Sequence, residues 1–165
     1  MSVQQGSLEL LQSPAAQQML QSIIPARLAY SWTDGTPRVV PIWFHWDGHD
    51  IVLGTPPDAP KVAALQTNPK VALTIDEEIT FRNVLMIRGT AKVTMVDGVV
   101  PEYASAAERY LGPEQGKGWA TQAAGLWTQM ARIAIRPEWV GVIDWKERWP
   151  NAVARAVAKA QAGQG

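Results

Sequence analysis

Apolar and polar positions change period several times along this chain, and each change marks an element. After Ser13-Pro14, the run Ala-Ala-Gln-Gln-Met-Leu-Gln-Ser-Ile-Ile has a capping hydroxyl, a proline at the first helical position and amphipathic spacing, which predicts a leading helix within residues 1–24. R-L-A-Y-S-W (27–32), T-P-R-V-V-P-I-W-F-H-W (36–46) and D-I-V-L-G-T (50–55) are β-rich runs separated by Asp34-Gly35 and Asp47-Gly48. Asp-Gly between such runs signals hairpins, so three antiparallel strands in a meander are predicted. A-P-K-V-A-A-L-Q-T-N-P (59–69) carries proline near its start and Asn68-Pro69 at its end, the marks of a short helix, and K-V-A-L-T-I-D (70–76) returns as a strand.

From Asn83 to Val96 the pattern alternates, with Leu85, Ile87, Gly89, Ala91, Val93 and Met95 on one face and Arg88, Thr90, Lys92 and Thr94 on the other. This predicts one long strand with a wet face, and Gly89 in its middle predicts a bulge. Helices follow over 101–111 and roughly 119–130, with G-P-E-Q-G-K-G (112–118) read as the loop between them. A last strand spans 131–145, and the Ala-rich tail is helical by propensity. The expected fold is mainly β with inserted helices: a six-stranded antiparallel barrel over residues 25–146, its mouths covered by helices, with a helical tail over 147–165. No repeat or linker divides residues 1–165, so a single domain is expected.

Composition narrows the function. The chain has no cysteine, which removes disulfides and thiolate catalysis. Lys plus Arg and Asp plus Glu are 15 each, so no global positive field recruits nucleic acid or an anionic membrane. No apolar run approaches the roughly 20 residues that span a bilayer, and no signal peptide opens the chain, so a cytoplasmic protein is expected. Eight tryptophans in 165 residues exceed what a small core accommodates, which points some of them to a ligand site or a subunit contact.

The usual catalytic sets are absent. His45 and His49 flank one turn, with no third histidine and no cysteine to complete a zinc site. No G-x-S-x-G elbow occurs, and the glycines of 112–118 have the wrong spacing for a phosphate loop. What remains is Arg38 on the second strand, Thr55 ending the third and Lys61 in the first turn of the next helix. If strands two and three pair, a guanidinium, a hydroxyl, an ammonium and free helix N–H groups converge as a seat for phosphate. The same residues also fit ordinary solvated cations. Pro41 cannot donate to a ladder, so its side of the strand faces something other than a strand.

The order of these motifs resembles the pyridoxamine 5′-phosphate oxidase-like superfamily, whose split β-barrels bind FMN or the deazaflavin F420 at a dimer interface. The resemblance covers roughly residues 25–146. It rests on D-G-T-P-R-V-V-P-I-W-F, W-D-G-H-D-I-V-L-G-T, A-P-K-V-A-A-L-Q-T-N-P-K-V-A-L and the strand through R-G-T-A. It implies that the segment Arg38, Val39, Val40, Pro41, Ile42 and Trp43 runs along the flavin, with the arginine reaching the phosphate. Gly54, Thr55, Pro60 and Lys61 match the phosphate and ribityl contacts, although Ala59 and Pro60 replace the Ser and Arg of the oxidases proper. Val84 stands where those enzymes have a glutamine near the ring, with Asn83 beside it as a substitute. Trp145 matches a tryptophan that meets the flavin from the second subunit.

The resemblance therefore implies a homodimeric, flavin-binding oxidoreductase transferring hydride between FMN and a small unsaturated substrate, with no resident metal and the catalytic residues unassigned. An F420-dependent reductase is the alternative cofactor reading, and a flavin or haem binding module without turnover is the alternative class. Lys61, Lys70 and Arg82 are the cations available to an anionic F420 tail. No histidine follows His49, which argues against pyridoxamine phosphate as substrate.

Overall fold

The computed structural model describes residues 3–77 and 82–163; Gln164 and Gly165 of the expected tail lie outside the described residues. Seven strands form one antiparallel sheet: β1 Ala26–Ser31, β2 Pro37–Ile42, β3 His45–Trp46, β4 Ile51–Thr55, β5 Lys70–Asp76, β6 Val84–Asp97 and β7 Gln129–Ile143, in the order β2-β1-β5-β6-β7-β4-β3. The helices are α1 Pro14–Gln21, α2 Pro60–Thr67, α3 Pro101–Leu111, α4 Pro113–Leu126 and α5 Asn151–Ala162, and a 3-10 turn at Leu8–Gln12 precedes α1.

The expected count of six strands becomes seven because the run 36–46 divides. Residues 37–42 pair with β1, whereas His45 and Trp46 pair with β4 at the opposite end of the sheet. Strands two and three of the anticipated meander therefore pair only through this short second piece. Trp43 and Phe44 make the crossing. Seven flat strands would hold the two edges roughly 29 Å apart, yet Ile42 and His45 are three residues apart and can be separated by about 11 Å at most. The sheet must curl until its edges face each other.

One row across the curled sheet is Val40, Leu28, Leu73, Ile87 and Val140, of which the last four are buried. The row one residue along is Val39, Ala29, Ala72, Arg88 and Trp139. Successive side chains point to opposite faces, so the first row enters the core and the second lies outside, where Val39 is 66% exposed. The core also takes Phe44, Leu53 and Ile133, with Ala16, Met19 and Leu20 of α1 packed over it. Ser13 caps α1 by accepting from the Ala16 N–H, as the sequence predicts.

Gly89 does mark an irregularity. Arg88 pairs with Trp139 but Gly89 with Pro137, so Glu138 is the extra residue and the bulge sits on β7. A Cβ at Gly89 would overlap the Arg136 carbonyl. The alternation of β6 holds from Leu85 to Ala91 and fades beyond, where Met95 is exposed rather than facing the core.

The segment 112–118 is the first part of α4, not a loop. Pro113 opens the helix, and Gly116 lies so close to α3 that a Cβ would overlap the backbone of Glu108. The glycine that reads as a breaker serves helix packing. β7 ends at Ile143, so Trp145 lies past the strand in a tight turn where Asp144 accepts the N–H groups of Lys146, Glu147 and Arg148 at 3.1, 2.8 and 2.9 Å.

Candidate functional site

Among the described residues β2 is an edge strand: β1 pairs on one side and no strand on the other. Pro41, opposite Arg27, is tolerated because a free edge has no use for its missing donor. The chain then alternates, sending Phe44 wholly into the core and leaving Trp43 half-buried above it. Burying a ring of that size is worth about 1.5–3 kcal/mol, enough to fix the crossing.

α3 locks the same link. Arg109 donates to the Phe44 carbonyl and, at 2.7 Å, to that of Leu20, and its guanidinium lies 4.7 Å from the Phe44 ring centroid. The Trp43 ring stacks on Tyr110 at 5.0 Å, 9° from parallel. The Tyr110 hydroxyl donates to the Ile24 carbonyl at 3.1 Å, and burial pushes its pKa up to about 12.

A cleft of about 420 Å³ opens beside this link. Pro41, Ile42 and Trp43 form one wall and Gly54 of β4 the floor, while Tyr103 of α3 and Trp119 of α4 close it. A Cβ on Gly54 would stand 2.5 Å from the Tyr103 Cβ, so this glycine is what admits Tyr103. Trp119 lies 5.9 Å from Trp43, and its indole N–H donates to the Tyr103 hydroxyl. Glu102, the neighbour of Tyr103, ties the start of α3 to β7 through Arg132 at 2.7 Å. That hydrogen bond holds its carboxyl below the usual range.

Next to Gly54, the buried Thr55 hydroxyl accepts from the Lys61 ammonium at 3.1 Å. Lys61 is half-buried, and desolvation lowers its pKa. Among the described residues no carboxylate lies within ion-pair distance of it. It occupies the second position of α2, after Pro60, and the cap residue Ala59 offers no side-chain bond to the helix start.

Of the anticipated convergence, then, Thr55 and Lys61 meet at the start of α2, whereas the hydrogen bonds of Arg38 stay within its own hairpin. Arg38 pairs with Tyr30, donates to Thr36 Oγ1 at 2.8 Å and to the Pro37 carbonyl at 3.2 Å, and lies 5.8 Å from the Trp32 ring. The pairing on which that convergence was argued is not there: β2 pairs with β1, and only His45 and Trp46 pair with β4. Val40 faces the core side of β2 and Val39 the outside.

Asn83 and Trp145 line a second, more polar recess of about 650 Å³ with Gln18 and Arg148. Asn83 donates to Gln18 and Glu77 at 3.2 and 2.8 Å. Trp145 is 45% exposed and has φ of 52°, a left-handed conformation rare for a bulky side chain. The strand register links Pro41, Arg27, Thr74, Met86 and Gly141 in one row. That places Gly141, four residues before Trp145, four strand spacings or about 19 Å along the sheet from Pro41. Within one chain, Trp145 does not line the cleft of Pro41 and Trp43.

Sequence reasoning missed Tyr103, Arg109, Tyr110 and Trp119. The available signal was the surplus of tryptophan and the seven-residue spacing of Tyr103 and Tyr110 along one helix; nothing local tells which sheet edge that helix covers.

Residues 13–142 match the family described as pyridoxamine 5′-phosphate oxidase. No curated protein matches the chain. Among solved structures, an F420 reductase is similar at 24% identity, with 76% of this chain and 94% of that one covered and a TM-score of 0.59. A conserved hypothetical protein from Mycobacterium tuberculosis is similar at 21% identity, over 87% of this chain and 91% of its own, with a TM-score of 0.65. The haem storage protein HutZ of Vibrio cholerae is similar at 20% identity, over 80% and 93%, with a TM-score of 0.59. At these identities the likeness is one of fold.

Proposed function

Because the chain belongs to the pyridoxamine 5′-phosphate oxidase family, we propose that it is a flavin-type oxidoreductase in which two copies of a split β-barrel share a phosphate-bearing cofactor, FMN or alternatively F420. The observation that carries this reading is Lys61: a half-buried ammonium bonded to Thr55, with no carboxylate partner among the described residues and an uncapped helix start beside it. Burying a cation without a counter-ion is unfavourable. An incoming phosphate would neutralise it, and would meet a hydroxyl and helix dipoles already aimed at one point.

Lys61, Thr55 and the start of α2 would hold the phosphate. Pro41, Ile42 and Trp43, on the free edge of β2, would border the ring, with Gly54 beneath. When bound, the isoalloxazine or deazaflavin ring supplies the hydride-transfer chemistry. The chain's own contribution is to orient that ring against a wall fixed by Phe44 and Arg109 and to keep the cleft dry. FMN is preferred over F420 because Lys70, one of the cations available to a longer anionic tail, is already bonded to Glu138 at 3.0 Å and Thr90 at 2.8 Å.

That Trp145 lines a different recess from Pro41 and Trp43 within one chain supports the shared site, with Trp145 reaching the ring from a second copy. The outer row of Val39, Ala29 and Ala72 offers that copy a flat apolar face, and Trp139, covered by Arg88 at 4.1 Å, ends it. The binding-module reading is favoured by the uncharged lining of the cleft, which would equally take the face of a tetrapyrrole. Titrating the purified protein with FMN, F420 and haem, together with mass identification of any copurifying pigment, separates these readings. Submicromolar FMN binding is expected, and haem binding without flavin binding would replace the enzyme reading by the module.

A further inference from the structure

Deepening that reading and resting on it, we infer that Tyr103 is the hydrogen-bond donor for a second ligand, a neutral planar ring carrying an acceptor oxygen, held at the aromatic end of the cleft. None of the described residues lining the cleft carries a charge. A charged ligand would give up its hydration there for no ionic partner, so the cleft selects against it. Flat surfaces dominate instead. Trp43 is held in place by its stack on Tyr110, and Trp119 stands tilted at 56° across from it, an arrangement that takes a ring against one face and the edge of the other.

Polarity in this end of the cleft is concentrated at one atom. The Trp119 indole N–H is spent on the Tyr103 hydroxyl. That hydroxyl therefore accepts from Trp119, while its own proton meets no acceptor among the hydrogen bonds of the described residues. A phenol has one proton to give, and with this hydroxyl open to solvent that proton serves water until an acceptor oxygen on the ligand takes the water's place. Gly54 fixes the position of this donor, since any larger residue would displace the Tyr103 ring. A carbonyl on a flat, uncharged ring meets all three conditions.

The test uses cofactor-free full-length protein and equilibrium dialysis with three probes: 1,4-naphthoquinone, naphthalene and 1,4-naphthoquinone-2-sulfonate. Wild type is expected to bind the quinone more tightly than naphthalene, which lacks the acceptor, and at least about 10-fold more tightly than the charged sulfonate. Tyr103→Phe keeps the ring but removes the proton, and is expected to weaken the quinone about 3- to 10-fold while leaving naphthalene unchanged. An equal loss for both probes, no loss for the quinone, or a sulfonate bound as tightly as the quinone would overturn the assignment. Lys61→Ala, measured alongside, is expected to lose FMN affinity and keep quinone affinity, so a failure of the phosphate seat is distinguished from a failure of the ring site.

Discussion

Lys61 and Thr55 are joined at 3.1 Å where β4 hands over to α2, and the ammonium has no acidic partner among the described residues. Lys61→Ala is expected to weaken FMN binding roughly 10- to 150-fold, the worth of a charge-assisted hydrogen bond of about 1.5–3 kcal/mol. Fluorescence titration measures it. The same substitution should leave the cofactor-free melting temperature unchanged or raised, because it removes an uncompensated half-buried charge; a large loss of stability would show that Lys61 is structural.

The pH dependence of Lys61 follows from the direction of its shift. Burial lowers its pKa from the ordinary value of 10.5, so between the folded and unfolded values the unfolded chain binds more protons. Stability therefore rises with pH in the window just below 10.5. Lys61→Met is expected to flatten this rise in urea titrations at stepped pH.

Glu102 shifts the opposite limb. Its bond to Arg132 holds the carboxyl below the ordinary 4.5. The stabilisation is full above that value and is lost as pH falls through the lowered pKa. Glu102→Gln should make the acid unfolding curve shallower below about pH 4.5, read by circular dichroism.

Two glycines of α4 should respond with opposite signs. Gly116→Ala drives a methyl into the backbone of Glu108 and is expected to cost about 1–3 kcal/mol. Gly118→Ala meets open space and should stabilise by about 0.5–1 kcal/mol, the gain in helix propensity. Thermal denaturation of the pair checks both.

Ala72 lies between Ala29 and Arg88 on the outer row and is exposed. Ala72→Glu is expected to shift the protein from dimer to monomer in sedimentation velocity and to weaken FMN binding with it. A monomeric wild type with full FMN affinity would remove Trp145 from the site.

Most of the elements were legible in the sequence because their determinants are local. Ser13-Pro14 caps and starts a helix wherever it lies, the strand periods of 70–76 and of the first half of 84–97 report a core face and an outer face, and Gly89 announced a break in the ladder. Pro41 even marked a free edge. By itself the sequence determined the order of elements, the apolar face of each and the neighbourhood of Thr55 and Lys61, which are only six residues apart. Only the tertiary structure decided which edge β2 occupies, that Trp43 and Phe44 bridge the two ends of a curled sheet, that Arg38 stays with its own hairpin, and that Tyr103 and Trp119 close the cleft. The reason is physical: strand order and helix placement are set by contacts between residues dozens of positions apart, such as Gly54 with Tyr103, and a local pattern records that a face is buried without recording against what.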